Sequence, residues 1–221
     1  MLQGAEPTNR IANTGQPSFW FPPQASTVAS HIDWLYDWVL WVSVISFAAI
    51  VAAMLWFVLK YHVSNDREPE ESVDHNQALE VVWTVIPTIV CAFIFYYGIV
   101  GYIDMRTAPD DAYEIRVTAR KWSWQFTYPN GHVDENLHVP KDRNVRLLME
   151  SEDVLHAFFV PAFRVKMDVV PGRYTDLWFN AKEVGDYQVF CAEYCGTKHS
   201  GMMARAIVHE PAEFNTWLAR Q

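Results

Sequence analysis

Two long uncharged runs restrict the fold of this chain more than any other feature. Residues 38–59 form 22 consecutive positions without a charged side chain, and residues 81–103 form another 23. A helix needs about 20 apolar residues to cross a bilayer, so both runs are long enough. The alternatives are two buried helices of a soluble core, or a signal peptide, but the first run begins late and follows no basic segment. We therefore predict a transmembrane hairpin of two helices.

The composition excludes several other classes of protein. With 26 acidic and 17 basic side chains, the chain has a formal charge of -9, which argues against nucleic acid as a partner. Its 51% hydrophobic content is too high for a disordered protein, and three cysteines are too few for a disulfide scaffold. We divide the chain into an extended N-terminal segment (1–33), the hairpin (34–103) and a soluble domain (104–221).

The soluble domain shows the pattern of an all-β protein. Residues 113–120 and 121–128 alternate apolar and polar side chains, which indicates two strands, and the second run stops at a Pro-Asn-Gly turn. Shorter strands are predicted at 144–150, 174–179, 187–190 and 203–208. This arrangement predicts a small sandwich or barrel. A short helix is predicted at 211–221, because Pro211 suits a first helical position.

A Cys-x3-Cys-x3-His-x2-Met motif is the strongest chemical signal. It comprises Cys191, Cys195, His199 and Met202. Thiolate, thioether and imidazole ligands favour copper, whereas Mg²⁺ and Ca²⁺ prefer oxygen. Two nearby thiolates can share two metal ions, but a second copper ion needs a second imidazole, for which His156 is the candidate. A disulfide between the two cysteines and a zinc site are the alternatives that the spacing leaves open.

The motif, the upstream sequence Ser-Glu-Asp-Val-Leu-His and a helical hairpin before a β domain together resemble subunit II of cytochrome c oxidase. The resemblance extends over about residues 30–215 and implies a cupredoxin-like domain that holds a dinuclear copper centre, CuA. The copper ligands that it implies are His156, Cys191, the carbonyl of Glu193, Cys195, His199 and Met202. The Glu193 side chain would bind Mg²⁺ at the interface with subunit I.

The resemblance also implies a path for electrons. They would come from cytochrome c at Trp122 and pass through CuA to the haem and copper centres of subunit I, where O₂ is reduced to water with proton pumping. This chain alone would not reduce O₂. Simple alternation instead puts Trp122 on one buried face with Trp124, Phe126 and Tyr128, unless the strand twists or bulges there. The acids expected at the cytochrome c docking surface are Asp134, Glu135, Glu152 and Asp153.

Glu80 lies at the start of the second uncharged run. The resemblance implies that its carboxylate is at the inner mouth of a proton pathway into subunit I. That role would orient the chain in the inner (cytoplasmic) membrane, with both termini and the β domain on the periplasmic side. Two other functions compete with this interpretation. A quinol oxidase subunit II of similar architecture lacks the copper ligands, and a membrane-anchored copper carrier would expose its copper loop.

Overall fold

The computed structural model describes residues 18–62 and 75–221. They form two compact units, one of residues 33–100 and the other of the described N-terminal residues up to 32 together with 101–221. Helix α1 spans Ala29–Lys60 and helix α2 spans Gln77–Arg106. Both are long and apolar enough to cross a membrane.

The two helices pack against each other through aromatic rings. The ring centroids of Trp38 and Phe93 lie 4.3 Å apart, which joins α1 to α2. The Asn76 side chain accepts a hydrogen bond from the Leu79 N–H (3.1 Å) and so caps the first turn of α2. Helix α1 begins at Ala29, before the predicted boundary at residue 34, because an uncharged run marks the apolar part of a helix and polar turns extend beyond it.

Ten strands and one short helix form the β domain. The strands are β1 Tyr113–Arg120, β2 Ser123–Thr127, β3 Val133–Asp134, β4 Leu137–Pro140, β5 Asn144–Ser151, β6 His156–Val160, β7 Val165–Val169, β8 Thr175–Asn180, β9 Gly185–Cys191 and β10 Met203–His209, and the helix is α3 Pro211–Ala219. They make two five-stranded sheets, in the orders β3-β2-β1-β5-β8 and β4-β10-β9-β6-β7. The predicted fold, a helical hairpin followed by an all-β sandwich, is confirmed.

Alternation along the strands builds the core between the two sheets. In β1 the side chains of Ile115, Val117 and Ala119 are buried, while those between them face outward. Strand β5 pairs with β1 in parallel and buries its own alternate residues, which include Leu147 and Met149. Burial of this apolar surface is the main force that holds the sheets together.

The described part of the N-terminal segment is attached to the β domain by hydrogen bonds. Ala25 donates its N–H to the Ala162 carbonyl (3.0 Å) and accepts from the Lys182 N–H (2.9 Å). The Ser26 hydroxyl donates to the Phe163 carbonyl (2.7 Å). The described residues before α1 therefore form part of the β domain, while α1 already includes residues 29–33 of the segment that we predicted to be extended.

Candidate metal centre

The loop between β9 and β10 carries the cysteine motif. Cys191 is the last residue of β9, and its N–H donates to the Met202 carbonyl (3.2 Å), which closes the loop at its base. A single 3-10 turn, His199–Gly201, precedes Met202. Gly196 has φ +122°, a left-handed value that favours glycine, so the chain can turn directly after Cys195.

Strand β6 supplies the imidazole from outside the loop. His156 is the first residue of β6, and β6 pairs with β9 so that Phe158 lies opposite Cys191. The Ala192 N–H donates to the Ala157 carbonyl (2.9 Å), which continues this pairing into the loop. The fold thus brings His156 next to a residue that is 35 positions away in sequence.

All six predicted copper ligands lie in one cluster. The two cysteine sulfurs are 3.8 Å apart, and both thiols are free. Each sulfur has its own imidazole: Cys191 Sγ lies 3.8 Å from His156 Nδ1, and Cys195 Sγ lies 3.6 Å from His199 Nδ1. The last two donors are the Glu193 carbonyl, 3.2 Å from Cys191 Sγ, and Met202 Sδ, 3.7 Å from Cys195 Sγ.

Most of the cluster is buried. His156 is fully buried, and Cys191, Cys195 and Met202 are nearly so. Burial and the neighbouring Cys191 thiol raise the pKa of Cys195 to about 11, so a cation is needed to hold this thiol as thiolate at neutral pH.

The donor set fits copper. His156, Cys191 and Cys195 could hold a metal ion, because their ligand atoms all lie within 4.8 Å of one another. Two sulfurs and one imidazole would also suit zinc. The thioether of Met202 and the second imidazole of His199 extend the set beyond a closed zinc site and favour copper.

Asp153 holds the outer side of the cluster. Its carboxylate lies 2.9 Å from His156 Nε2 and accepts hydrogen bonds from the N–H groups of Lys121 (2.7 Å) and Val154 (2.6 Å). Burial disfavours the charge, but hydrogen bonds from the His156 ring and the two N–H groups outweigh it and lower the pKa of Asp153 to about 2. A carboxylate in this position orients a ligating histidine. We predicted Asp153 as a docking acid, and its contact with the His156 ring was not predicted, because no sequence signal distinguishes the two roles.

Trp122 lies in the turn before β2, which begins at Ser123. Its side chain is half-buried, whereas Trp124, Phe126 and Tyr128 are at most 2% exposed. The alternation of buried and exposed side chains therefore holds for three of the four aromatic residues. Trp122 does not follow it, because it precedes the strand.

The Trp122 indole lies against the cysteine loop. A Cβ atom built on Gly196 would be 3.3 Å from the indole ring. Lys198 Nζ is 5.6 Å from the ring centroid. The indole also lines an open cavity of about 410 Å³ together with Tyr194 and Cys195. The contact at Gly196 joins Trp122 to the residue that follows a candidate copper ligand.

The four predicted docking acids fall into two groups. Asp153 is bonded to the turn that carries Trp122, and Glu152 is its exposed neighbour. Asp134 pairs with Phe126 near the far end of β2, and Glu135 follows it. At about 3.3 Å per residue, that end is about 13 Å from Trp122. Asp134 lies 3.6 Å from His132 Nε2 and 3.8 Å from His138 Nε2, so it faces histidines of its own domain.

Glu80 lies in the first turn of α2. One of its carboxylate oxygens is 2.8 Å from His75 Nδ1, and its side chain is 41% exposed. An accessible ionisable group thus stands at the polar end of a candidate membrane span.

Two helices able to cross a membrane are followed by a β sandwich with a buried cysteine, histidine and methionine cluster. These features define a membrane-anchored protein whose cluster could hold a soft metal ion. Residues 14–99 match the family description "Cytochrome C oxidase subunit II, transmembrane domain", and residues 100–210 match "Cytochrome C oxidase subunit II, periplasmic domain". This chain belongs to the cytochrome c oxidase subunit II family. It is therefore a component of an oxidoreductase complex, and its β domain has the family's cupredoxin-like fold.

Named relatives agree with this membership. The chain is 30% identical over 235 residues to "Alternative cytochrome c oxidase subunit 2" of Bradyrhizobium diazoefficiens, which covers 92% of this chain and 84% of the relative. It is 28% identical over 254 residues to "Cytochrome c oxidase subunit 2" of Synechocystis sp., with 93% and 76% covered. The solved periplasmic domain of subunit II of cytochrome oxidase from Bradyrhizobium japonicum is 32% identical, covers 52% of this chain and 96% of its own, and has a TM-score of 0.49.

Proposed function

We propose that this chain is the electron-accepting subunit of a cytochrome c oxidase. It takes electrons from cytochrome c and delivers them to the haem and copper centres of subunit I, where O₂ is reduced to water and protons are pumped. One observation carries this proposal: two free thiols face each other at 3.8 Å in a buried cluster, each with its own imidazole. A copper carrier must exchange its metal ion, and a buried site hinders that exchange.

The cluster would hold two copper ions as a CuA centre. The residues that would hold the two ions are Cys191, Cys195, His156, His199, Met202 and Glu193 through its carbonyl. When bound, the copper pair supplies reversible one-electron transfer. The protein contributes a dry pocket and ligands fixed by strand pairing, so that little rearrangement accompanies a change of charge.

Trp122 is the proposed point where electrons reach this chain. Its half-buried indole touches Gly196, which directly follows Cys195. This contact supports a short route from a docked cytochrome c to the metal loop. Asp153 supports the same route, because it bonds both to the backbone beside Trp122 and to His156.

The remaining roles concern subunit I and the membrane. The Glu193 carboxylate is a suitable hard ligand for Mg²⁺ at the interface with subunit I. Glu80, paired with His75, would collect protons at the inner mouth of a pathway into subunit I. Both roles require the β domain and both termini on the periplasmic side of the inner membrane, with the loop between α1 and α2 inside.

Copper stoichiometry and electron paramagnetic resonance of the full-length chain in detergent test the metal proposal. We expect two copper ions per chain that share one unpaired electron. Cys195→Ser should abolish this spectrum, while the matched change Cys91→Ser should leave it intact, because Cys91 lies in α2. One copper ion with a localised spectrum would support a carrier instead, and a chain that binds no copper would contradict the proposal.

Stopped-flow reduction of the assembled complex by cytochrome c tests the role of Trp122. Trp122→Phe should slow electron transfer and leave the copper spectrum unchanged. Trp178→Phe is a matched control, because the Trp178 indole bonds to the Asp104 carbonyl and not to the cysteine loop. An equal effect of both substitutions would contradict the assignment of Trp122.

A further inference from the structure

Tyr194 is the most exposed aromatic residue of the β domain, with 76% of its surface accessible. Both of its neighbours in sequence belong to the candidate metal cluster. The Glu193 carbonyl lies 3.2 Å from Cys191 Sγ, and Cys195 is only 4% exposed. Because the chain is directed into the cluster on either side of Tyr194, the ring between them is left on the surface.

The Tyr194 ring is supported on one side by a candidate copper ligand. Its centroid lies 5.7 Å from that of the His199 ring, at an angle of 58°. His199 is itself held by backbone bonds, since its N–H donates to the Gly196 carbonyl (3.0 Å) and its carbonyl accepts from the Met202 N–H (3.1 Å). A tyrosine side chain also has few rotatable bonds, so a partner that contacts this ring loses little conformational entropy.

The surface beside Tyr194 is concave and partly apolar. Tyr194, the Trp122 ring and Val154 line the open cavity of about 410 Å³. A single exposed aromatic residue is common on a protein surface. Exposed aromatic and aliphatic side chains grouped around a concavity are instead typical of a surface that contacts another protein.

The charges beside this cavity offset one another. Lys121 lines the cavity, and Lys198 Nζ lies 5.6 Å from the centre of the Trp122 ring. The carboxylate of Asp153 accepts the N–H of Lys121 (2.7 Å), and Glu152 is its exposed neighbour. Two ammonium groups thus stand beside two carboxylates, so charge at this place selects neither an acidic nor a basic partner. Recognition by apolar contact remains.

We infer that Tyr194 is a specificity-determining contact residue for the electron donor, which covers this ring with an apolar, uncharged part of its own contact face. The inference rests on the proposed electron-accepting function and adds to it a residue on the metal loop itself. Burial of the ring then supplies affinity, because large aromatic side chains at the centre of an interface carry much of its binding energy. Asp134 and Glu135, about 13 Å away along β2, can steer the approach of the donor without touching the ring.

Stopped-flow reduction of the copper centre by a soluble cytochrome c, in the assembled complex and over a range of cytochrome concentrations, tests this inference. The concentration at half-saturation reports binding, and the limiting rate reports electron transfer within the docked pair. The test variant is Tyr194→Ala, and Tyr194→Phe keeps the ring while removing only the hydroxyl. The matched control is Met203→Ala, which truncates another exposed apolar side chain (52%) beside a candidate ligand, on β10 in the other sheet.

We expect Tyr194→Ala to raise the concentration at half-saturation by about tenfold or more, at low and at high ionic strength alike. Its limiting rate and its copper spectrum should match those of the wild type, which shows that the metal loop is intact. Tyr194→Phe and Met203→Ala should behave as the wild type in every measurement.

Three results would overturn the inference while electron transfer remains intact: an unchanged half-saturation in Tyr194→Ala, an equal effect of Met203→Ala, or an effect that disappears at high ionic strength. Loss of the other subunits from the purified Tyr194→Ala complex would also overturn it, because the ring would then face the complex and not the donor. If the wild type accepts no electrons from cytochrome c, although a chemical reductant reduces its centre, the proposed electron-accepting function fails and the inference fails with it.

Discussion

Acid should destabilise the β domain through the imidazole of His138 in β4, whose side chain is 12% exposed. Its ring stacks on Trp217 of α3, with centroids 4.1 Å apart, and its Nδ1 lies 2.8 Å from His209 Nε2. Burial lowers the pKa of His138 to about 4, the Asp134 carboxylate opposes this shift, and the His209 and His132 rings reinforce it. The fold therefore favours the neutral imidazole, which stacks on the helix.

The size of the effect follows from the two pKa values. The unfolded histidine has a pKa near 6.5, so as the pH falls the unfolded chain takes up this proton before the folded one does. Stability from neutral His138 is complete above pH 6.5 and declines as the pH falls towards 4. The loss is about 2 kcal/mol at pH 5 and about 3 kcal/mol at pH 4.

Guanidinium unfolding of the full-length chain in detergent, followed by near-ultraviolet circular dichroism at pH 7, 5 and 4, measures this loss. His138→Phe keeps an aromatic ring against Trp217 but cannot bind a proton, so its stability should fall less than that of the wild type between pH 7 and 4. The difference should approach about 3 kcal/mol. If the two proteins lose stability in parallel, His138 does not control the acid sensitivity and the argument from its burial is wrong.

Three further predictions concern helix α3, the candidate metal cluster and the turn at Gly196. Phe214→Ala should destabilise the domain by about 3 kcal/mol in denaturant titration, because this ring is 1% exposed. Asp153→Ala should weaken copper binding about 10- to 100-fold in competition with a chelator, since it frees His156, while Glu152→Ala should not. Gly196→Ala should cost about 1–3 kcal/mol, through its left-handed φ and a Cβ 3.3 Å from an indole ring. Gly131 also has a left-handed φ, but a Cβ built on it would meet no atom within 4 Å. Gly131→Ala should therefore lower the free energy of unfolding by less than Gly196→Ala does.

Strands with one buried face were predictable from sequence, and strands buried on both faces were not. Alternation located β1 and β5 because one of their faces meets the core and the other does not. Strand β6, His156–Val160, has four buried residues out of five and no alternation, so its sequence lacks the signal. Strand β4, Leu137–Pro140, is similarly buried and was also missed. Period-two reasoning detects a difference between two environments, and these strands have nearly the same environment on both faces.

Some features of the candidate site were likewise predictable from sequence, and others were not. Four donors lie within twelve residues of one another, so their spacing alone indicated a metal-binding loop. His156 became a candidate from ligand chemistry, but its proximity depends on the pairing of β6 with β9, which no local pattern encodes. The inward direction of Asp153 was equally hidden, because an acid on a loop looks the same in sequence whether it faces solvent or a histidine.

Backbone hydrogen bonds connect the segments that carry the candidate ligands. The bond between Cys191 and Met202 closes the loop, and the bond between Ala192 and Ala157 fixes that loop to the strand of His156. The raised pKa of Cys195 shows that this enclosure opposes a lone thiolate. A cation that binds this thiol must displace its proton, so metal binding at this site releases protons. Burial of the cluster suits permanent occupation by a redox metal better than reversible carriage of copper.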